Sequence, residues 1–74
     1  MKVRVRLIGQ FMERFGFGEK ELKVPSPCTT ACLVSRLGME GLDLVVTRNG
    51  LPLSPSDKLG DDDRVVIAPI FSGG

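Results

Sequence analysis

The run Arg64-Val65-Val66-Ile67-Ala68-Pro69-Ile70-Phe71 constrains the fold more than any other part of the chain. It is strand-like but does not alternate. A strand apolar on both faces is normally one buried on both. The rest of the chain, however, offers one main helix, which covers one face of a sheet. If Val65 and Ile67 face that helix, then Val66, Ala68 and Ile70 face outward, with Phe71 at the end of the run. Ile8, at the end of the first strand, extends this surface. A contiguous apolar patch on a small globule usually marks a partner surface. The competing reading is that the Phe11–Phe17 segment covers the patch, or that it is tolerated as ordinary exposed apolar area.

With 74 residues the chain is expected to be one domain with a thin core. Such a domain buries only about 60% of its unfolded surface, which leaves little room for a deep catalytic cleft. Lys plus Arg is 10 against 9 for Asp plus Glu. That balance gives no electrostatic case for nucleic acid. Lys2-Val3-Arg4-Val5-Arg6 is locally basic; its alternation predicts a strand with a solvated face, or secondarily a docking surface for an acidic partner.

Cys28 and Cys32 are the two cysteines, and there is no histidine. They cannot complete a four-ligand zinc site, and no metal is expected. If both lie on a helix, their spacing is poor for a disulfide. The favoured reading is two small buried hydrophobes in a reducing, cytoplasmic setting; a redox or sulfur-relay role is the alternative. Met1–Leu7 alternates rather than presenting the apolar run of a signal peptide. Nothing approaches the roughly 20 apolar residues of a membrane span.

Val3, Val5 and Leu7 define a first strand. Gly9 to Gly18 reads as a connection, in which Phe11 and Phe15 share one face of a helical turn and close the end of the core. Glu19–Val24 is a second strand, with Leu22 and Val24 inward, stopped by Pro25-Ser26-Pro27. A helix is expected over Cys28–Leu37, capped by Ser26, Thr29 or Thr30, with Ala31, Val34 and Leu37 beside Leu33 as its apolar stripe and Gly38 at its end. Leu44–Thr47 is a third strand, Asn49-Gly50 a hairpin turn, and Leu51-Pro52-Leu53 a short edge strand. Val65–Phe71 is the last. This order predicts an α+β roll, and the ubiquitin-like β-grasp is the candidate: a mixed four- to five-stranded sheet with one main helix on one face. In that topology the first and last strands are parallel neighbours at the sheet centre. The domain would span 1–71, with 72–74 as a flexible tail.

The chain ends Ser72-Gly73-Gly74. Two terminal glycines arise by chance roughly once in 200 chains at about 7% glycine usage. A tail without Cβ atoms threads a narrow channel and approaches phosphates closely. The Gly74 carboxylate is a poor electrophile. Transferred to AMP it becomes a mixed anhydride, and attack by a sulfur donor leaves a nucleophilic thiocarboxylate. That activation needs a partner binding ATP, because this chain has no Gly-rich phosphate loop and no paired-carboxylate site.

These features resemble the MoaD/ThiS family of ubiquitin-like sulfur carriers over essentially the whole length. The resemblance rests on Asn49-Gly50 followed by Leu59-Gly60-Asp61-Asp62-Asp63-Arg64, the apolar run with Pro69, and Gly73-Gly74. Where the family usually has a glycine between two aspartates, Asp62 stands, a residue that tolerates a left-handed turn better than most. The resemblance implies that Gly74 is adenylated by an E1-like enzyme using ATP and magnesium, with no cofactor bound by the chain itself. A cysteine-derived persulfide then supplies sulfur. Gly73 and Ser72 would enter a partner channel, and Val66, Ala68 and Ile70 would press on partners. The recipient would be the large subunit of molybdopterin synthase or a thiazole synthase; the long first connection favours the molybdopterin branch, although the short helix and total length sit closer to the thiamine one.

Three functions follow. The first is a sulfur carrier acting with partner enzymes rather than an enzyme in itself. The second is a protein modifier, joined through Gly74 to a lysine amine. The third is a plain interaction module, since fold alone does not fix function.

Overall fold

The computed structural model describes residues 1–70. The expectations resting on Phe71, Ser72, Gly73 and Gly74, including the boundary between domain and tail, lie outside the described residues. Seven elements follow one another: β1 (Lys2–Leu7), α1 (Gln10–Phe15), β2 (Glu19–Lys23), α2 (Thr30–Arg36), β3 (Leu44–Arg48), β4 (Leu51–Pro52) and β5 (Asp63–Pro69). The sheet order is β2-β1-β5-β3-β4. β5 runs parallel to β1 and antiparallel to β3, which places the apolar run at the sheet centre.

The alternation of β1 decides the two faces. Val3, Val5 and Leu7 are buried, whereas Lys2, Arg4 and Arg6 are exposed. The register sets Val5 beside Val65 and Leu7 beside Ile67, and Ile67 in turn beside Val46. These residues meet Leu33, Met39, Cys28, Val24, Leu59 and Phe11 in one core. Of the two inward residues expected on the second strand, Val24 is buried and Leu22 packs half-buried against the core.

Two helices form rather than one. The Gly9–Gly18 connection contains α1, closed by Gly16 in the left-handed conformation with its N–H on the Met12 carbonyl. Phe11 drives it: this residue is only 2% exposed, and its ring meets Phe15 edge-on at 5.8 Å. A large aromatic buried on one side of a turn repays the ordering of a short helix. Phe15 and Phe17 pack against the same core, so the segment closes its end, as the spacing predicts.

The main helix is shorter than expected. Cys28 precedes it, and Thr29 is the cap, its Oγ1 accepting from the Cys32 N–H at 3.2 Å. Its buried side is Thr30 and Leu33, with Val34 and Leu37 half-buried; Ala31 is exposed, which corrects its assignment to the stripe. Ala31 lies two residues from Leu33, about 200° around the helix. Gly38 follows with φ +73, the left-handed ending a glycine serves.

Asn49 and Gly50 both have positive φ, the primed turn that matches strand twist. β4 then covers only the last two residues of β3. Asp62 takes φ +64, so the left-handed turn tolerated by Asp is present. β5 begins two residues earlier than the apolar run suggests, because Asp63 pairs with Val3. Loop and strand are clasped there: Asp62 N–H donates to the Lys2 carbonyl, and Lys2 N–H to Asp61 Oδ1, both at 2.8 Å.

Candidate partner face and its relation to the C-terminal residues

The site expected from sequence has two parts. Gly74, Gly73, Ser72 and Phe71 lie outside the described residues. The other part is the sheet face opposite α2, which the register assembles row by row. Val66 lies between Arg6 and Thr47, and Ala68 beside Val45. Carried one residue past the last registered pair, Ile8 joins Ala68 on the β1 side; its N–H donates to the Ile67 carbonyl at 3.3 Å. Ile70 N–H donates to the Asp43 carbonyl at 3.1 Å, holding the chain at the sheet end where residue 71 follows.

Ile8, Val45, Val66 and Ala68 thus form one apolar strip. Val45, Val66 and Ala68 are half-buried by their neighbours, whereas Ile8 is 39% and Ile70 56% exposed. By strand register Ile8, Val66 and Ala68 share one side of the sheet, whereas Ile70, one residue past β5, borders the hollow between α2 and β3. Sequence reasoning missed Val45. Its signal was present: Leu44-Val45-Val46 fails to alternate, as β5 does.

The strip grades into charge toward β2. Lys2 faces Glu21 at 3.8 Å and Asp62 at 4.0 Å, and Arg4 faces Glu19 at 3.8 Å. Exposed pairs of this kind contribute about 0–1 kcal/mol each. Arg4 and Arg64 stand directly opposite each other across β1 and β5. Like charges so placed are destabilising. Among the described residues, no carboxylate lies within ion-pair distance of Arg6 or Arg64. The basic character read from Lys2–Arg6 therefore becomes a two-arginine border to the apolar strip.

A separate ion pair fixes the loop before β5. Arg48 donates to Asp63 Oδ2 at 2.7 Å, and Gly60 N–H donates to the same oxygen at 2.7 Å. Burial works to raise the Asp63 carboxyl, but the Gly60 N–H and the Arg48 guanidinium outweigh it and hold the group below its ordinary value.

A hollow of about 420 Å³ opens between α2 and β3 and is lined by Val34, Leu42, Leu44, Leu53 and Ile70, with Glu40 the only charged side chain among the described residues that line it. No nucleophile–base pair converges there. Among the described residues, no group of three or more His, Cys, Asp or Glu side chains is placed to hold a metal ion. No helix among them is long and apolar enough to cross a membrane.

A mixed sheet in the order β2-β1-β5-β3-β4, with α2 packed across one face and its central strand leading to the tail, defines a ubiquitin-like β-grasp protein. The fold is shared with solved structures at low identity. A putative molybdopterin converting factor subunit 1 from Pyrococcus furiosus superposes with a TM-score of 0.86 at 22% identity, covering 96% of this chain and 99% of the other. SAMP1 from Haloferax volcanii gives 0.83 at 17% identity over the full length of both chains. The Haloferax volcanii protein HVO 2177, solved in solution, gives 0.84 at 22%, over 100% of this chain and 87% of that one. No curated protein sequence matches the chain. The model of the ThiS family matches residues 5–74, nearly the whole length, and the chain belongs to that family.

Proposed function

We propose that the chain is a sulfur carrier whose reacting group is the carboxylate of Gly74. In this reading an E1-like enzyme, using ATP and magnesium, transfers that carboxylate to AMP and releases pyrophosphate. The terminal sulfur of a cysteine persulfide on a partner attacks the acyl adenylate and expels AMP. A thiol then cleaves the resulting acyl disulfide, which leaves a thiocarboxylate on Gly74 that donates sulfur in cofactor biosynthesis.

The observation that carries this reading is continuity. β5, the strand bearing Val66 and Ala68, leads through Ile70 into Phe71-Ser72-Gly73-Gly74. A partner that grips the open face is thereby positioned to receive the terminus. The family match extends through Gly74, which supports the same assignment. The chain's own residues bind and present; the adenylating and sulfur-transfer groups belong to partners. The work is expected in the cytoplasm.

Likeness to a putative molybdopterin converting factor subunit favours the large subunit of molybdopterin synthase as recipient, with thiazole synthase as the alternative. A second reading has its own support, because one of the similar folds is described as a small archaeal modifier protein. In that reading a lysine amine attacks the activated Gly74 and forms an isopeptide bond.

Incubation with the host's E1-like enzyme, Mg-ATP and a persulfide donor tests both. Formation of an AMP adduct followed by exchange of one oxygen for sulfur supports the carrier. Lysine adducts alone support the modifier. A chain that forms no adenylate under these conditions overturns both readings.

A further inference from the structure

The hollow between α2 and β3 adjoins an unfinished sheet edge. Ile70 N–H on the Asp43 carbonyl makes residues 43 and 70 a hydrogen-bonded pair. Such pairs alternate along an antiparallel ladder, so the N–H and C=O of Leu44 and Val46 turn away from β5, toward the outer edge. β4 covers that edge only opposite Thr47 and Arg48, and Leu53 N–H adds one bond to the Val46 carbonyl at 2.8 Å. The chain then leaves for the start of α2: the Pro55 carbonyl accepts from Ala31 N–H at 3.0 Å, and the Asp57 carbonyl from Thr30 N–H at 2.9 Å. Among the described residues, the N–H and C=O of Leu44 therefore have no backbone partner.

The hollow lies beside this gap. Val46 is buried on the α2 side of the sheet, and Leu44, two residues away, shares that side. Leu44 lines the hollow together with Val34, Leu42, Leu53 and Ile70, around a volume of about 420 Å³. A cavity of about 150 Å³ already admits a benzene ring, so this one has room for roughly two large apolar side chains. Glu40, the charged residue of its lining, and Asp43, next to Leu44, are both acidic and exposed. Among the described residues, neither has a cation within ion-pair distance.

We propose that this gap is a docking site for an extended segment of a partner protein, one that carries alternating apolar residues between basic ones. The segment adds to the outer edge of β3. Its central residue donates to the Leu44 carbonyl and accepts from the Leu44 N–H, which completes the edge. That residue shares the side of the sheet on which Leu44 lies, so its side chain enters the hollow, as do those two positions away. Flanking lysines or arginines meet Glu40 and Asp43. The free backbone groups select an extended segment over a helix, and the acidic rim selects basic flanks over acidic ones. The site lies on the far side of β3 from the arginine border. It does not rest on the chemistry assigned to Gly74.

The test titrates the blocked peptide acetyl-Lys-Leu-Ser-Val-Ser-Leu-Lys-amide into the isotope-labelled full chain and follows backbone amide shifts. The expected result is saturable binding that moves Val34, Leu42, Leu44 and Leu53 and slows hydrogen exchange at the Leu44 amide, while Arg4 and Arg6 on β1 stay in place. The same peptide with its Leu and Val residues N-methylated should lose binding, because it no longer donates to the edge. Glu40→Lys/Asp43→Lys alters two exposed side chains and should raise Kd about tenfold, the loss of two rim ion pairs. Removal of residues 71–74 should leave Kd unchanged. Absence of saturable binding, shifts confined to the arginine border, equal binding by the N-methylated peptide, or an unchanged Kd in the charge-reversed variant would overturn the proposal. So would a tenfold gain in affinity on removal of 71–74, which assigns the hollow to the chain's own end, or a dimer seated there in place of the peptide.

Discussion

Trimming the two most exposed isoleucines, Ile8 on the open face and Ile70 just past β5, should weaken partner capture without unfolding the chain. The size of the effect follows from their exposure. Ile→Ala removes three carbons, about 2.4 kcal/mol of burial at about 0.8 kcal/mol per methylene. Ile70 is 56% exposed, so roughly 1.3 kcal/mol of that burial remains for a partner to gain. Ile8, at 39%, leaves roughly 0.9 kcal/mol. Ile8→Ala/Ile70→Ala should then raise Kd by about 40-fold, at 1.4 kcal/mol per tenfold. Most of the change should appear in the dissociation rate, as is usual within one interface. Calorimetric titration against the E1-like enzyme measures it, with Ala31→Ser on the exposed side of α2 as control. An unchanged Kd in a folded double variant would refute the reasoning. So would an equal loss in the control.

Removal of Gly74 should abolish adenylation and leave the melting temperature unchanged, because a terminal glycine has no side chain to bury; a sharp fall in melting temperature would show otherwise. Asp63→Asn should cost about 1.5–3 kcal/mol in urea unfolding, since it weakens a carboxylate that accepts from both Arg48 and Gly60. The Asp63 carboxyl lies below its ordinary value of 3.8 when folded, so its contribution is present above that value and lost as pH falls through the lower folded value. The wild-type minus Asp63→Asn stability difference should therefore shrink only in strong acid. Arg6→Glu/Arg64→Glu should slow partner association and flatten its salt dependence, since neither arginine has an ion-pair partner among the described residues; unchanged stopped-flow rates would place them outside the encounter surface. Thr29→Ala should cost about 1 kcal/mol of stability by removing the cap of α2, read from chemical denaturation.

Much of the fold was legible because local signals agreed with the global arrangement. β1 alternates strictly, Asn49-Gly50 dictates its turn, and the apolar run of β5 demands a central place. The misjudged details are those that tertiary packing decides. α1 is six residues long, too short to persist by itself, and exists because Phe11 finds the end of the core. Ala31 fits a helical spacing, but the phase of α2 is fixed by Leu33 and Thr30 beneath it. Cys28 carries no mark to say that Thr29, rather than Ser26, would cap the helix. The open face followed from parity along β1 and β5. Val45 and the unmatched arginines required the register between strands, which residue type alone does not encode. The glycine tail remains a sequence argument.

The most direct measurement is the intact mass of the protein recovered from its native host, with the C-terminal peptide sequenced by fragmentation. The account predicts a fraction of molecules in which the Gly74 carboxylate has exchanged one oxygen for sulfur, and none with that change elsewhere. A host-derived population whose C-terminus carries no sulfur while the pathway is active, or residues retained beyond Gly74 in the working protein, would contradict it.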